Sequence, residues 1–182
     1  MTAAPSSPTV TGGASSLPLF LAHAVELESE AALRYDELAD SMEAHNNWQV
    51  AALFRDMARY SRLHRDEVMG IAAAHGPLPK VAPWEFQWTG TAESPEAAAF
   101  DGAHYLMTPH HALCPALACE EARHAYYAAV AEQTAVAEVA RLARDFAAEE
   151  SHHVVLVRQW LERFPAPDAG WDDDPDPPNT AE

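Results

Sequence analysis

The chain is short of cysteine, of basic residues and of long apolar runs, and each shortage removes a class of protein. Cys114 and Cys119 are the cysteines among 182 residues. Two thiols are too few for a disulfide framework, and they form none of the CxxC pairs that hold iron or zinc in small metal modules. They read as core or loop thiols. Lys and Arg total 11 against 28 Asp and Glu, for a formal charge of -17. Nucleic acid and anionic membranes both demand clustered basic residues, so neither is an expected partner. No apolar run reaches the roughly 20 residues that a membrane-spanning helix requires. Residues 1–16 are small, uncharged and rich in Ser, Thr, Gly and Pro, without the basic start and apolar stretch of a secretory signal. A disordered leader on a cytoplasmic protein is the expectation.

What is present is enough apolar material for one core. Hydrophobic residues make up 48% of the chain, which at this length supports a single domain. That domain is expected over residues 17–164. Residues 165–182 carry six acids, several prolines and no Lys or Arg, a composition that cannot bury enough apolar surface to fold. An acidic flexible tail is expected there.

Four segments have helical periodicity. The first spans residues 17–45, with Ser16 as N-cap and Pro18 in the first turn. The second spans 48–75, capped by Asn47 and stopped by Gly76 and Pro77. The third spans 109–133, capped by Thr108 and carrying Pro115 as a possible bend. The fourth spans 135–164, capped by Thr134 and ended by Pro165. Short connections within the first and last pairs predict two antiparallel hairpins. The long Pro-, Gly- and Trp-containing stretch between them fits a crossover along an all-α, ferritin-like four-helix bundle.

An internal repeat supports the two hairpins. Val50, Leu53, Asp56, Met57 and His64 of the second segment align at constant offset with Val139, Leu142, Asp145, Phe146 and His153 of the fourth. Residues 28–35 (ESEAALRY) likewise match residues 120–127 (EEARHAYY). Equivalent residues of the two halves should therefore surround a pseudo-twofold axis, where a symmetric dinuclear site would lie.

Helical spacing selects the inward positions. Each inward stripe is apolar except near its middle, where Glu28, Ser61, His64, Glu120, His124, Glu150 and His153 fall. Carboxylates and imidazoles gathered at one level of a core are costly unless they are paired or bind a cation. The dinuclear bundle template takes one Glu from each of two helices and Glu-x-x-His from each of the other two, and such donors suit iron or manganese. Glu28 and Glu120 supply the single carboxylates, and Glu150 with His153 is an intact Glu-x-x-His. The second segment departs from the template, because Ser61 stands three residues before His64. His124, one turn beyond Glu120, is a candidate replacement ligand or hydrogen-bond donor to one, or an ordinary core residue.

Across residues 17–164 the chain resembles the rubrerythrin branch of the ferritin-like superfamily, through residues 28–35, His64, residues 120–127 and the Glu150-x-x-His153 pair. The resemblance implies metal-ligand roles for Glu28, His64, Glu120, Glu150 and His153, with Tyr35 and Tyr127 flanking the metals as catalytic candidates. It also implies an oxo-bridged di-iron centre that reacts with peroxide or oxygen. The rubredoxin-like electron-transfer module of full rubrerythrins is absent from this sequence, so a separate electron-donor protein is expected. The remaining expected partners are metal ions and a second copy of the chain. Peroxide reduction or Fe(II) oxidation is the leading function, iron handling without turnover is the alternative, and a structural bundle with a vestigial site is a third reading.

Overall fold

The computed structural model describes residues 15–81 and 105–170. Among them lie four helices and no strand: α1 (Leu17–Ala44), α2 (Trp48–Ala73), α3 (Pro109–Gln133) and α4 (Ala137–Arg163). The expected crossover, leader and distal tail fall largely or wholly outside the described residues. No described helix is long and apolar enough to cross a membrane.

The helix ends follow local chemistry. Pro18 and Pro109 sit in first turns, where a missing N–H costs nothing. α1 ends as Asn46 takes a left-handed φ of 60°, letting the Asn47 N–H donate to Met42 O at 2.8 Å. Asn47 was expected to cap α2 with its side chain. Its Nδ2 instead donates to Met107 O at 2.7 Å, tying the start of α2 to the segment that leads into α3. At Thr108 the backbone N–H donates to His111 Nδ1 at 3.3 Å, so His111 closes the first turn of α3. Thr134 ends α3 rather than capping α4: its hydroxyl accepts the Val136 N–H at 3.1 Å, and α4 starts two residues later than its pattern suggested. A chain reversing within so few residues needs them for the turn.

α1 packs closely along α2, and α3 along α4; the two hairpins meet more sparsely, through α2 against α3 and α1 against α4. The hairpins are thus the expected ones. Across the outer face of the first, Arg55 reaches Asp36, Asp40 and Glu43, and Arg62 reaches Asp36. These half-exposed pairs set register more than they add stability.

The apolar core divides into two clusters. One contains Ala31, Tyr35, Phe54, Ala58, Ala116, Cys119 and Val157. The other contains Phe20, Leu27, Val68, Tyr126, Tyr127, Phe146 and Ala147. Phe20 stacks on Phe146 with centroids 5.7 Å apart and meets Tyr127 edge-on, so this cluster joins both hairpins. On every helix the passage from one cluster to the other is bridged by polar residues: Glu28 on α1, Ser61 and His64 on α2, Glu120 and Arg123 on α3, and Glu150 and His153 on α4. The bundle therefore carries one polar layer at mid-height.

Candidate metal centre

The polar layer is largely buried. Glu28, Ser61, Glu120, Arg123 and Glu150 are buried, and the rings of His64 and His153 are half-buried. Both imidazoles aim Nδ1 at carboxylates. His153 Nδ1 lies 3.2 Å from Glu150 Oε2 and 3.4 Å from Glu120 Oε2, and His64 Nδ1 lies 3.8 Å from Glu28 Oε1. The two rings stack with centroids 4.5 Å apart. One ligand atom from each of His64, Glu150 and His153 lies within 4.8 Å of the others. A first-row ion, with bonds of about 2.1 Å, would draw such atoms to within about 4 Å of one another.

Arg123 completes the layer, and the inward stripe read from the sequence missed it. Its Nη2 lies 2.5 Å from Glu120 Oε1 and its Nη1 3.7 Å from Glu28 Oε2. His124, which that stripe had selected, is exposed and borders neither cavity of the layer. Among the described residues His124 thus stands outside the cluster. The buried face of α3 runs through Leu113, Ala116, Glu120, Arg123, Tyr127 and Val130, so the helix is rolled toward the i+3 side of Glu120 and the i+4 side turns to solvent. An arginine inside an otherwise apolar stripe, three residues after a buried glutamate, was the available signal.

Charge in this layer is unevenly held. Burial raises the Glu120 carboxyl, but the Arg123 guanidinium and the His153 ring outweigh it and hold Glu120 well below the usual range. Burial lifts Glu150 instead, helped by the Glu120 and Glu28 charges and opposed by Arg123 and His153. Burial also works against a charge on His153, yet the neighbouring Glu120 and Glu150 carry its pKa up to about 10. His64 is raised as well, because Glu28 outweighs desolvation.

These residues fit a cation. Oε2 of Glu28 and Oε2 of Glu120 are buried and lack a hydrogen bond of ordinary geometry among the described residues, each facing a more distant cation, Arg123 Nη1 at 3.7 Å and His153 Nδ1 at 3.4 Å, so a metal ion could draw on both. Two imidazoles with nearby carboxylates are the donor set of iron or manganese. Beside them is a cavity of about 30 Å³, lined by Ser61, His64, Glu120, Arg123 and His153 and walled by Met57, Leu156, Val157 and Trp160. A smaller pocket of about 10 Å³ touches Glu28, His64, Glu150 and Tyr127. Tyr127 thus borders the layer, and burial together with Glu28 and Glu150 raises its hydroxyl pKa well above normal. Tyr35 stacks on Phe54 at 6.1 Å within the apolar cluster and borders neither pocket.

Residues 20–99 match the Rubrerythrin family model. The crystal structure of an uncharacterized conserved protein from Magnetospirillum magnetotacticum MS-1, solved at 2.00 Å, is 49% identical and superposes with a TM-score of 0.65. The match covers 84% of this chain and 98% of that one. The chain belongs to the rubrerythrin-like branch of the ferritin-like superfamily. No curated protein matches it. As a rubrerythrin-like chain it keeps Glu28, His64, Glu120, Glu150 and His153 together in one layer, while Ser61 and Arg123 break the twofold pattern.

Proposed function

We propose that the protein is a non-haem iron protein that carries out redox chemistry with peroxide or oxygen, either reducing peroxide or oxidising Fe(II). The observation that carries this reading is the convergence of His64, Glu150 and His153 beside two further buried carboxylates and a cavity sized for a very small molecule. A volume of about 30 Å³ admits roughly two water-sized particles. Peroxide and oxygen fit such a space.

When bound, iron supplies the one-electron steps that side chains lack. The chain's own contribution is positional and electrostatic. Glu150 and His153, three residues apart on α4, present their ligand atoms to one point, and His64 faces them from α2. Arg123 directs a fixed positive charge at the cavity, where charge on a reduced oxygen species would be stabilised. Met57, Leu156, Val157 and Trp160 limit water around it. Reducing one peroxide to two waters consumes two electrons and two protons, and the electrons come from a separate donor protein.

The test is anaerobic loading with Fe(II), followed by hydrogen peroxide or oxygen and a chemical reductant. Turnover faster than that of the same concentration of free Fe(II) is expected, and its loss in His153→Ala. Tight iron binding with no turnover above free iron would instead favour iron handling. That second reading draws on Ser61, which leaves α2 without the carboxylate that α4 supplies.

A further inference from the structure

We infer that the centre holds a single metal ion per chain, and that the Arg123 guanidinium is the resident cation where a second ion would otherwise lie. The inference rests on the metal-binding reading above and departs from the dinuclear expectation.

The internal repeat carries the first part of the argument. At the offset that aligns His64 with His153, Ser61 aligns with Glu150; at the offset that aligns Glu28 with Glu120, Ala31 aligns with Arg123. Two of the symmetric pairs are kept, and at two positions of the buried polar layer the halves differ. Both differences make the layer more positive: one half lacks a carboxylate, and the other carries a guanidinium, so less positive charge is needed from metal to balance it.

The structure brings these differences to one place. Ser61 and Arg123 line the same cavity, with Glu28, His64, Glu120 and His153 around them. The guanidinium reaches one carboxylate from each hairpin, Glu120 at 2.5 Å and Glu28 at 3.7 Å. A dinuclear centre would need those oxygens for its ions. Arginine does not deprotonate in proteins, so a second divalent ion would meet a permanent like charge and a neutral serine in place of an anionic ligand. The histidines agree with this. A symmetric centre assigns His64 and His153 to different ions, but here their rings stack and their ligand atoms converge with Glu150 on one position.

The experiment is a stoichiometry. Full-length protein stripped of metal is titrated anaerobically with Fe(II), desalted and assayed for bound iron, and in parallel loaded with Mn(II) for electron paramagnetic resonance. One ion per chain and an uncoupled Mn(II) spectrum are expected. Two ions per chain with a spin-coupled spectrum would overturn the inference while leaving the metal reading intact, and no bound metal would overturn both. The double substitution Ser61→Glu with Arg123→Ala restores the repeat and should take up a second, coupled ion. If that variant does not fold, the wild-type stoichiometry and coupling decide the matter alone.

Discussion

Arg123 Nη2 lies 2.5 Å from Oε1 of Glu120, one helical turn back on α3, while its Nη1 faces Glu28 of α1 at 3.7 Å. The side chain is 2% exposed. An arginine at this depth is stable only because carboxylates surround it, and those carboxylates in turn rely on its charge. The contact also spans the two hairpins, which are otherwise joined by apolar side chains such as Phe20 against Tyr127 and Phe146. It therefore contributes to closing the bundle at the level of the site.

Removing that charge leaves buried carboxylates uncompensated. Arg123→Ala should destabilise the metal-free protein by about 3 to 5 kcal/mol, the usual cost of breaking a buried ion pair from one side. Urea unfolding in the presence of a chelator measures it. A loss under about 1 kcal/mol would mean that the core neutralises Glu120 and Glu28 some other way.

The pH dependence of the metal-free protein follows from His153. Its folded pKa of about 10 exceeds its ordinary 6.5, so its contribution to stability is fully present below pH 6.5 and disappears as pH rises toward 10. Glu150, also raised, acts in the same direction; Glu120, lowered, contributes above about pH 4.5 and loses that contribution on acidification. Urea midpoints with chelator present should fall steadily from neutral to alkaline pH, and His153→Gln should flatten that limb. A wild-type profile flat up to about pH 10 would contradict the assignment. Metal binding should run the opposite way, strengthening as pH rises, because a ligating imidazole must first lose its proton.

Metal should stabilise the fold. An ion held at a hundred times its dissociation constant adds about 2.7 kcal/mol, seen as a higher melting temperature than in the stripped protein. His153→Ala should abolish most of this increment. His124→Ala should leave it unchanged, since His124 is exposed. Equal loss in both variants would place His124 at the ion after all.

The two tyrosines should separate. Tyr127 borders Glu28, His64 and Glu150, so Tyr127→Phe should slow peroxide turnover several-fold while leaving bound iron per chain unchanged. Tyr35 stacks on Phe54 among apolar residues, so Tyr35→Phe should leave turnover as it is. Steady-state turnover normalised to iron content makes the comparison, and identical rates in all three proteins would remove Tyr127 from the reaction.

Much of this protein is determined along the chain itself. Helical spacing of apolar residues, proline and asparagine at the helix ends and the repeat between hairpins are local properties, and they fix four helices and two hairpins without reference to packing. The inward placement of Glu28, Glu120, Glu150 and His153 is equally legible, because side chains three residues apart share a face of any helix. The tertiary structure decided what depends on how helices roll against each other. Three and four residues beyond Glu120, the side chains of Arg123 and His124 point about 100° apart around α3, and periodicity alone leaves either one free to face inward. Packing against the neighbouring helices turned Arg123 into the carboxylates and His124 into solvent. The same long-range packing stacked His64 on His153, because the separation of two side chains on different helices is encoded in no single segment of the sequence.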